Sequence, residues 1–180
     1  MNRPPERRLS RGTAEGFTLR RANPADVPFI MATERLDGYE TLVGRWEADT
    51  HAAAFADPAY RYFIGEFAGR PVGFALIRDW ASPAKVTCVK RLAVVEPGQG
   101  HGSLFLRRAI DAMFEETDTH RLWIGAFPEN LRARRAYVAA GFAEEGIARG
   151  SAFFGEVFRD EMILSMLRPE WQARRARDGL

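Results

Sequence analysis

One segment sets the architecture of this chain: residues 86–116, VTCVKRLAVVEPGQGHGSLFLRRAIDAMFEE. Residues 86–95 are mostly apolar and rich in Val, which is typical of a buried strand. A glycine-rich turn follows, and apolar residues then recur at helical spacing from Leu104 onward. RLWIGAF (121–127) has the composition of a further strand. A strand, a helix and a strand in this order predict a right-handed crossover between two parallel strands.

The elements on both sides of this unit predict antiparallel pairing. YRYFIGEF (60–67) and PVGFALIRDW (71–80) are separated by the spacing of a short, glycine-containing hairpin turn. The other expected elements are a strand at 17–21, a helix capped by Asn23, a helix from about Thr41 to Ala54, a helix from Asn130 to Gly141, and closing strands at 143–149 and 157–167. We therefore predict an α/β fold whose mixed, mostly antiparallel sheet contains a central parallel β-α-β crossover and is flanked by helices.

Length and composition favour one soluble domain. The chain has 180 residues, 46% of them hydrophobic, and no apolar run reaches the roughly 18 residues that a membrane span needs. We expect one domain at 17–167, a flexible arm at 1–16 and an arginine-rich tail at 168–180. One Cys excludes an internal disulfide, and with only three His it also excludes zinc-finger spacing. No secretory signal is visible, so the expected location is the cytoplasm, with no membrane partner.

The formal net charge of +2 suggests a nucleic-acid partner, so the position of the charges matters. Residues 1–16 and 168–180 each contribute +2, which leaves a core of net −2. Arginine-bearing termini are more often solvated than bound to a polyanion. The charge pattern therefore predicts no nucleic-acid partner, whereas a nucleic-acid-binding protein would show an affinity that falls steeply with salt.

Three glycines, Gly98, Gly100 and Gly102, lie between the strand and the helix of the crossover. Backbone N–H groups at a helix N-terminus bind anions when no side chain covers them, and the helix dipole adds to this attraction. A phosphate loop of the NTPase type would need Lys after Gly102, and a dinucleotide fingerprint would need Gly where Ser103 stands. These two classes of nucleotide site are therefore disfavoured.

Two segments, PGQGHG (97–102) and NLRARRAYVAAGF (130–142), resemble motifs of the Gcn5-related N-acetyltransferase (GNAT) family in order and spacing. The second segment matches through Asn130, Ala133, Tyr137, Gly141 and Phe142. The resemblance covers about Phe17 to Leu167 and is greatest to the branch that acts on small amines or protein N-termini. Pro97 departs from the motif, because the family has Arg or Gln there. Backbone amides, together with Gln99 or with Arg107 and Arg108, are expected to compensate for the missing side-chain contact to phosphate.

The resemblance implies direct acetyl transfer. Acetyl-CoA would be the co-substrate, no metal would be needed, and a neutral amine would attack the thioester. The residues implied to bind the cofactor are Leu92, Ala93, Val94, Gly98, Gln99, Gly100, His101, Gly102, Ser103 and Asn130. The backbone N–H of Val94 would polarise the carbonyl, and Tyr137 would be the general acid that protonates the leaving thiolate.

The general base is the residue that the sequence identifies least clearly. Glu34, in the loop expected between the first two helices, is the candidate we name, although a solvated carboxylate is the commoner role for such a residue. The alternatives are Glu40, Asp79, His51, His101 and His120.

A second function class stays open, a CoA-binding regulatory module without turnover. The acceptor would be a small-molecule amine or a protein N-terminus, and the sequence does not distinguish the two. Closing strands of such domains can pair across a dimer, so a homodimer is one expected assembly.

Overall fold

The computed structural model describes residues 16–179, so the expected arm at 1–16 lies outside the described residues except for Gly16. One sheet contains the seven strands β1 Phe17–Arg21, β2 Tyr60–Phe67, β3 Arg70–Arg78, β4 Val86–Val94, β5 Arg121–Ala126, β6 Ala143–Phe154 and β7 Val157–Leu167. Their order is β1-β2-β3-β4-β5-β7-β6, and every neighbouring pair is antiparallel except β4 and β5. The predicted fold class and the central parallel crossover are confirmed.

The helices are α1 Val27–Glu34, α2 Ala48–Ala56, α3 His101–Glu116, α4 Leu131–Ala140 and α5 Arg168–Asp178. A 3₁₀ turn at Pro24–Asp26 precedes α1, and Asn23 caps this turn as predicted. The helix expected from about Thr41 begins only at Ala48, because the preceding segment turns back and the Trp46 N–H donates to Glu34 Oε2 at 3.1 Å. None of the helices within residues 16–179 is long and apolar enough to cross a membrane.

The sheet buries apolar side chains on both faces, which is why its central strands are continuous apolar runs rather than alternating ones. The core between the sheet and the helices α3, α4 and α5 contains Phe63, Phe105, Ile110, Met113, Phe114 and Leu122. The opposite face is covered by α1 and α2 and contains Ile30, Tyr62, Ile64, Phe74 and Leu76. Two cores of this kind hold the central strands in one register.

The C-terminal segment differs from the solvated tail that the sequence predicted for 168–180. Residues 168–178 form α5, which packs on α3. Trp171 is 7% exposed, its ring stacks on Phe114 with 5.1 Å between centroids, and its indole N–H donates to Asp111 Oδ1 at 2.8 Å. The burial of the large Trp171 side chain therefore decides the structure of this arginine-rich segment, although its charge pattern is typical of a solvated tail.

Arg168 fastens the start of α5 to the end of α3. Its guanidinium donates to the carbonyl oxygens of Phe114 at 2.9 Å, Thr117 at 2.7 Å and Thr119 at 2.8 Å. A helix C-terminus leaves its last carbonyls unpaired, and a basic side chain satisfies them. Part of the terminal positive charge is therefore used inside the fold.

Trp171→Ala is expected to lower the free energy of unfolding by about 3 kcal/mol, because it empties a buried site and removes the indole donor of Asp111. Urea denaturation measures this loss. The control is Gln172→Ala at an exposed position of the same helix, which is expected to stay within about 0.5 kcal/mol of the parent protein. Small and equal effects of both substitutions would show that α5 does not stabilise the domain.

Candidate active site

The two parallel strands of the crossover pair over only part of their length. β4 and β5 are in register from Val86 and Arg121 to Val89 and Ile124, and the described strands show no pair beyond that point. On its other side, β4 stays paired with β3 as far as Val94. The edge of β4 after Val89 therefore faces a gap instead of a strand.

Backbone groups of β4 point into this gap. The Val95 N–H donates to the Val72 carbonyl on β3 at 2.9 Å. Hydrogen-bond direction alternates along an antiparallel strand, so the N–H and C=O groups of Leu92 and Val94 point away from β3. Such groups need partners, and an extended ligand with amide groups can supply them.

A cavity of about 760 Å³ lies in the gap. The glycine-rich turn lines one end, β4 and α4 line its length, and strands β3, β5, β6 and β7 line the other end. The lining residues that carry the site are Tyr39, Arg78, Lys90, Leu92, Val94, Gly98, Gly100, Gly102, Ser103, Trp123, Gly125, Asn130, Arg132, Tyr137 and Glu161. This volume is in the range of cofactor sites.

The glycine-rich turn forms the entrance to α3. Gly98 and Gly100 have φ angles of 101° and 86°, a left-handed conformation that glycine adopts without strain. The helix begins at His101, earlier than the sequence indicated, so Gly102 and Ser103 lie in its first turn. First-turn N–H groups have no partner within a helix, and here they stand at the positive end of a 16-residue helix. The turn is built to bind an anion.

Seven of the ten residues expected to bind the cofactor line the cavity: Leu92, Val94, Gly98, Gly100, Gly102, Ser103 and Asn130. Three do not. Ala93 is buried in the core on the α1 and α2 face, because its side chain alternates with those of its neighbours. Gln99 is exposed, and the His101 ring packs on Phe67 with 4.7 Å between centroids.

Arg107 and Arg108, from which a phosphate contact was expected, do not line this cavity. Arg107 donates to the Ala139 carbonyl at 3.4 Å, and Arg108 lines a separate, smaller pocket. Arg132, in the first turn of α4, is the arginine of this helix that lines the main cavity, beside Arg78 of β3 and Arg91 of β4. Helix periodicity does not reveal this, because Arg132, Arg134 and Arg135 look alike in sequence.

The side chain of Tyr39 lies beside the backbone N–H of Val94, which was expected to be free to polarise the thioester carbonyl. Its hydroxyl donates to the Val94 carbonyl at 2.9 Å and lies 3.4 Å from the Val94 nitrogen. Tyr39 is buried and belongs to the loop between α1 and α2. Leu92 is thus the residue whose gap-facing N–H has no such neighbour within residues 16–179.

Tyr137 lies on α4, two turns after Asn130. The Asn130 side chain accepts the Ala133 N–H at 3.1 Å and so caps the helix. Tyr137 is 8% exposed and lines the cavity. Burial, which disfavours the phenolate, raises the pKa of Tyr137 to about 12. The hydroxyl therefore keeps its proton through the neutral and mildly alkaline range.

Glu34 is not the loop carboxylate that the sequence predicted. It is the last residue of α1, is 0% exposed, and does not line the cavity. Its Oε1 accepts from Arg91 Nη1 at 2.7 Å, and the Arg91 side chain is only 8% exposed. Both carboxylate oxygens already have donors, so the placement contradicts a role as proton acceptor for a substrate.

The other candidate bases also lie away from the cavity. Within the described residues, its lining includes none of Glu40, Asp79, His51, His101 and His120. His51 is 0% exposed and contacts the Tyr62 hydroxyl at 2.9 Å. The same part of the chain contains no group of three or more His, Cys, Asp or Glu suited to a metal ion.

Glu161 on β7 is the carboxylate that lines the cavity, and the sequence analysis missed it. Its Oε2 accepts from the Ser151 hydroxyl at 2.8 Å. Its side chain lies across Gly125 of β5, where an added Cβ would collide with Oε1 and come within 2.9 Å of Cδ. The glycine inside the strand RLWIGAF was the available signal, because such a glycine often marks a close approach of another group.

The chain is similar in sequence to known acetyltransferases. The model of the "Acetyltransferase (GNAT) family" matches residues 29–142. A "Probable N-acetyltransferase YjcK" from Bacillus subtilis (strain 168) is 29% identical over an alignment of 143 residues, and the match covers 76% of this chain and 78% of that protein.

Solved structures with a similar fold include spermidine N-acetyltransferases from Vibrio cholerae. A single-residue mutant of SpeG has a TM-score of 0.76 at 20% identity and covers 89% of this chain and 98% of its own. A dodecameric structure of the enzyme in an intermediate state has a TM-score of 0.73 at 21% identity, with coverage of 89% and 98%. At this identity the likeness shows the fold alone.

The matched family model spans more than half of the chain, and it contains both the turn at 97–102 and all of α4. The observed sheet has the parallel crossover that the order of strand, helix and strand predicted. This chain therefore belongs to the GNAT family and is an N-acetyltransferase.

Proposed function

We propose that the enzyme binds acetyl-CoA in the gap between β4 and β5 and transfers the acetyl group to a primary amine by direct attack. The observation that carries the proposal is the cavity itself, which joins an anion-binding helix N-terminus to an unpaired strand edge and ends at a buried tyrosine. The GNAT family uses acetyl-CoA as co-substrate, and this donor set suits its phosphates and its amides.

The residues divide the binding task along the cavity. Backbone N–H groups at Gly100, Gly102 and Ser103 would hold the pyrophosphate, with Arg132 near enough to the cavity to add positive charge. The C=O of Leu92 would accept a hydrogen bond from a pantetheine amide, as it would from a neighbouring strand. The polarisation of the thioester carbonyl, expected of Val94, is assigned instead to the gap-facing N–H of Leu92.

Acetyl-CoA supplies an acetyl group activated as a thioester. Attack by the amine nitrogen on the carbonyl carbon forms a C–N bond and breaks the C–S bond. The nitrogen loses one proton, and the sulfur that leaves gains one. The protein thus needs a proton acceptor on the amine side and a donor on the sulfur side.

Tyr137 is the proposed donor. Its raised pKa keeps the phenol protonated, and no other described residue hydrogen-bonds to its hydroxyl, so the proton is available to the cavity. Glu161 replaces Glu34 as the proposed acceptor, because it is the carboxylate that reaches the cavity. It acts on the amine directly or through water.

Gly98→Ala is expected to weaken CoA binding about tenfold, because alanine disfavours the left-handed turn and binding must restore it. Calorimetric titration with CoA measures the dissociation constant. Gly69→Ala is the matched control, since Gly69 also has a positive φ and no neighbour within 4 Å of an added Cβ, but lies in the β2–β3 turn. A similar dissociation constant for both variants would remove the glycine-rich turn from the site.

Tyr137→Phe is expected to lower kcat about a hundredfold while the dissociation constant of CoA changes little. Thiol release from acetyl-CoA with an amine panel measures kcat, and Tyr60→Phe, outside the cavity lining, is the control. Because the Tyr137 pKa is raised to about 12, the parent enzyme is expected to show no fall in kcat from phenol ionisation below pH 10. Equal rates for both variants would exclude Tyr137 as the acid.

The same thiol-release assay distinguishes an acetyltransferase from the second function class. A CoA-binding regulatory module would bind CoA and release no thiol, with or without Tyr137.

Glu161→Gln is expected to lower kcat/KM about a hundredfold near pH 7, where an alkylamine is mostly protonated and needs a base. The defect is expected to shrink above pH 10, because the free amine then predominates. A pH profile of kcat/KM tests this, with Glu156→Gln in the exposed β6–β7 turn as the control. A defect that is the same at every pH would assign Glu161 a role other than proton acceptance.

A further inference from the structure

The end of the cavity opposite the glycine-rich turn is where the acceptor amine would bind. It carries more positive charge than the binding of an amine requires. Lys90 directly follows Val89, the last residue of β4 that pairs with β5, and it lines the cavity. Arg78, at the end of β3, and Arg91 line the same region. Their acidic counterpart in the lining is Glu161.

Arg91 is neutralised within the protein. Its ion pair with Glu34 is buried, and its guanidinium lies 4.3 Å from the centroid of the Trp46 ring. Arg78 contacts Asp79 at 3.1 Å, but that carboxylate is 46% exposed and does not line the cavity. Exposed ion pairs of this kind contribute little to the free energy of folding, and the arginine stays able to bind another anion.

Lys90 has no carboxylate oxygen within 4 Å of its Nζ among the described residues, and its Nζ lies 5.8 Å from the centroid of the Trp46 ring. Lys90 is an exposed residue, but partial desolvation of its ammonium and the positive charges of Arg91 and Arg78 lower its pKa. An anion placed beside it would remove this electrostatic cost. The chain has only two lysines, and the other, Lys85, pairs with Asp118 away from the cavity.

We propose that the acceptor is an amine that also carries a carboxylate, with the amine held at Glu161 and the carboxylate held by Lys90 and Arg78. The proposal rests on the acetyl transfer proposed above and names the substrate class of that site. Glu161 and Lys90 both stand where β4 and β5 separate, since Glu161 covers Gly125, which follows the last paired residue of β5. Trp123, which also lines this end and lies 6.0 Å from the Arg78 guanidinium, adds an apolar wall.

The charge arrangement also opposes one class of acceptor. A polyamine would bring a second cation toward Lys90 and Arg78, where like charges repel at low dielectric. The structurally similar SpeG proteins are named as spermidine acetyltransferases. We expect this chain to differ from them in acceptor charge although it shares their fold.

Two matched pairs of acceptors and one polycation test the proposal. L-phenylalanine and L-phenylalaninamide differ in the carboxylate beside the amine, whereas Ala-Asp-amide and Ala-Asn-amide differ in a carboxylate on the following residue of a peptide. Spermidine is the polycation. Thiol release at saturating acetyl-CoA gives kcat/KM for each, and the anionic member of at least one pair is expected to exceed its neutral partner about tenfold, which is worth about 1.4 kcal/mol.

Outcomes separate this proposal from the underlying function. Faster or equal turnover of the neutral members of both pairs, or of spermidine, overturns the carboxylate proposal and leaves acetyl transfer intact. Absence of turnover with all five acceptors, while CoA still binds, overturns the proposed transfer and the acceptor class with it. The pair that responds identifies the source of the carboxylate as a free amino acid or a peptide.

Substitution of Lys90 links the preference to the structure. Lys90→Met is expected to lower kcat/KM for the preferred anionic acceptor about tenfold, and Lys90→Glu is expected to reverse the preference within its pair. Lys85→Glu makes the same charge change outside the cavity and is expected to leave the preference unchanged. CoA titration confirms that each variant is folded. A preference that survives both Lys90 substitutions overturns the proposal.

Discussion

The parallel pairing of β4 with β5 stops after Val89 and Ile124, and the site depends on this early separation. Beyond it, β4 presents backbone groups on one side while β3 holds it rigidly on the other. Unpaired N–H and C=O groups inside a domain are costly unless a partner satisfies them. The same break leaves room for the cavity and brings the start of α3, Leu92 of β4 and Tyr137 of α4 to a single channel.

A buried ion pair stabilises the side of this cavity that Tyr39 lines. Glu34 at the end of α1 and Arg91 on β4 are joined at 2.7 Å with almost no exposure, and Trp46 donates its backbone N–H to the same carboxylate. Removing either charge would leave the other buried without a partner, which costs several kcal/mol. The pair fixes the loop that carries Tyr39 against β4, so a residue first considered for chemistry has a structural role.

Local patterns in the sequence predicted the strands, the crossover and the helix capped by Asn130, because propensity, caps and turns are written in neighbouring residues. Contacts between distant residues were not accessible in the same way. Glu34 looked like a loop carboxylate because Arg91 lies far along the chain, and Glu161 was missed because its position depends on Gly125 of another strand. The helix at 168–178 was not predicted, because the charges of this segment are typical of a solvated tail and the packing of Trp171 depends on distant residues.

Hydrogen exchange of backbone amides, with and without CoA, tests whether the gap between β4 and β5 is the cofactor site. Bound CoA is expected to slow exchange at residues 92–103 and 130–137, where the unpaired strand edge, the glycine-rich turn and α4 line the cavity. The paired strands β1 and β2 on the far side of the sheet are expected to stay unchanged. Saturating CoA that leaves residues 92–103 unprotected, or that protects only residues outside the cavity, would contradict this assignment of the site.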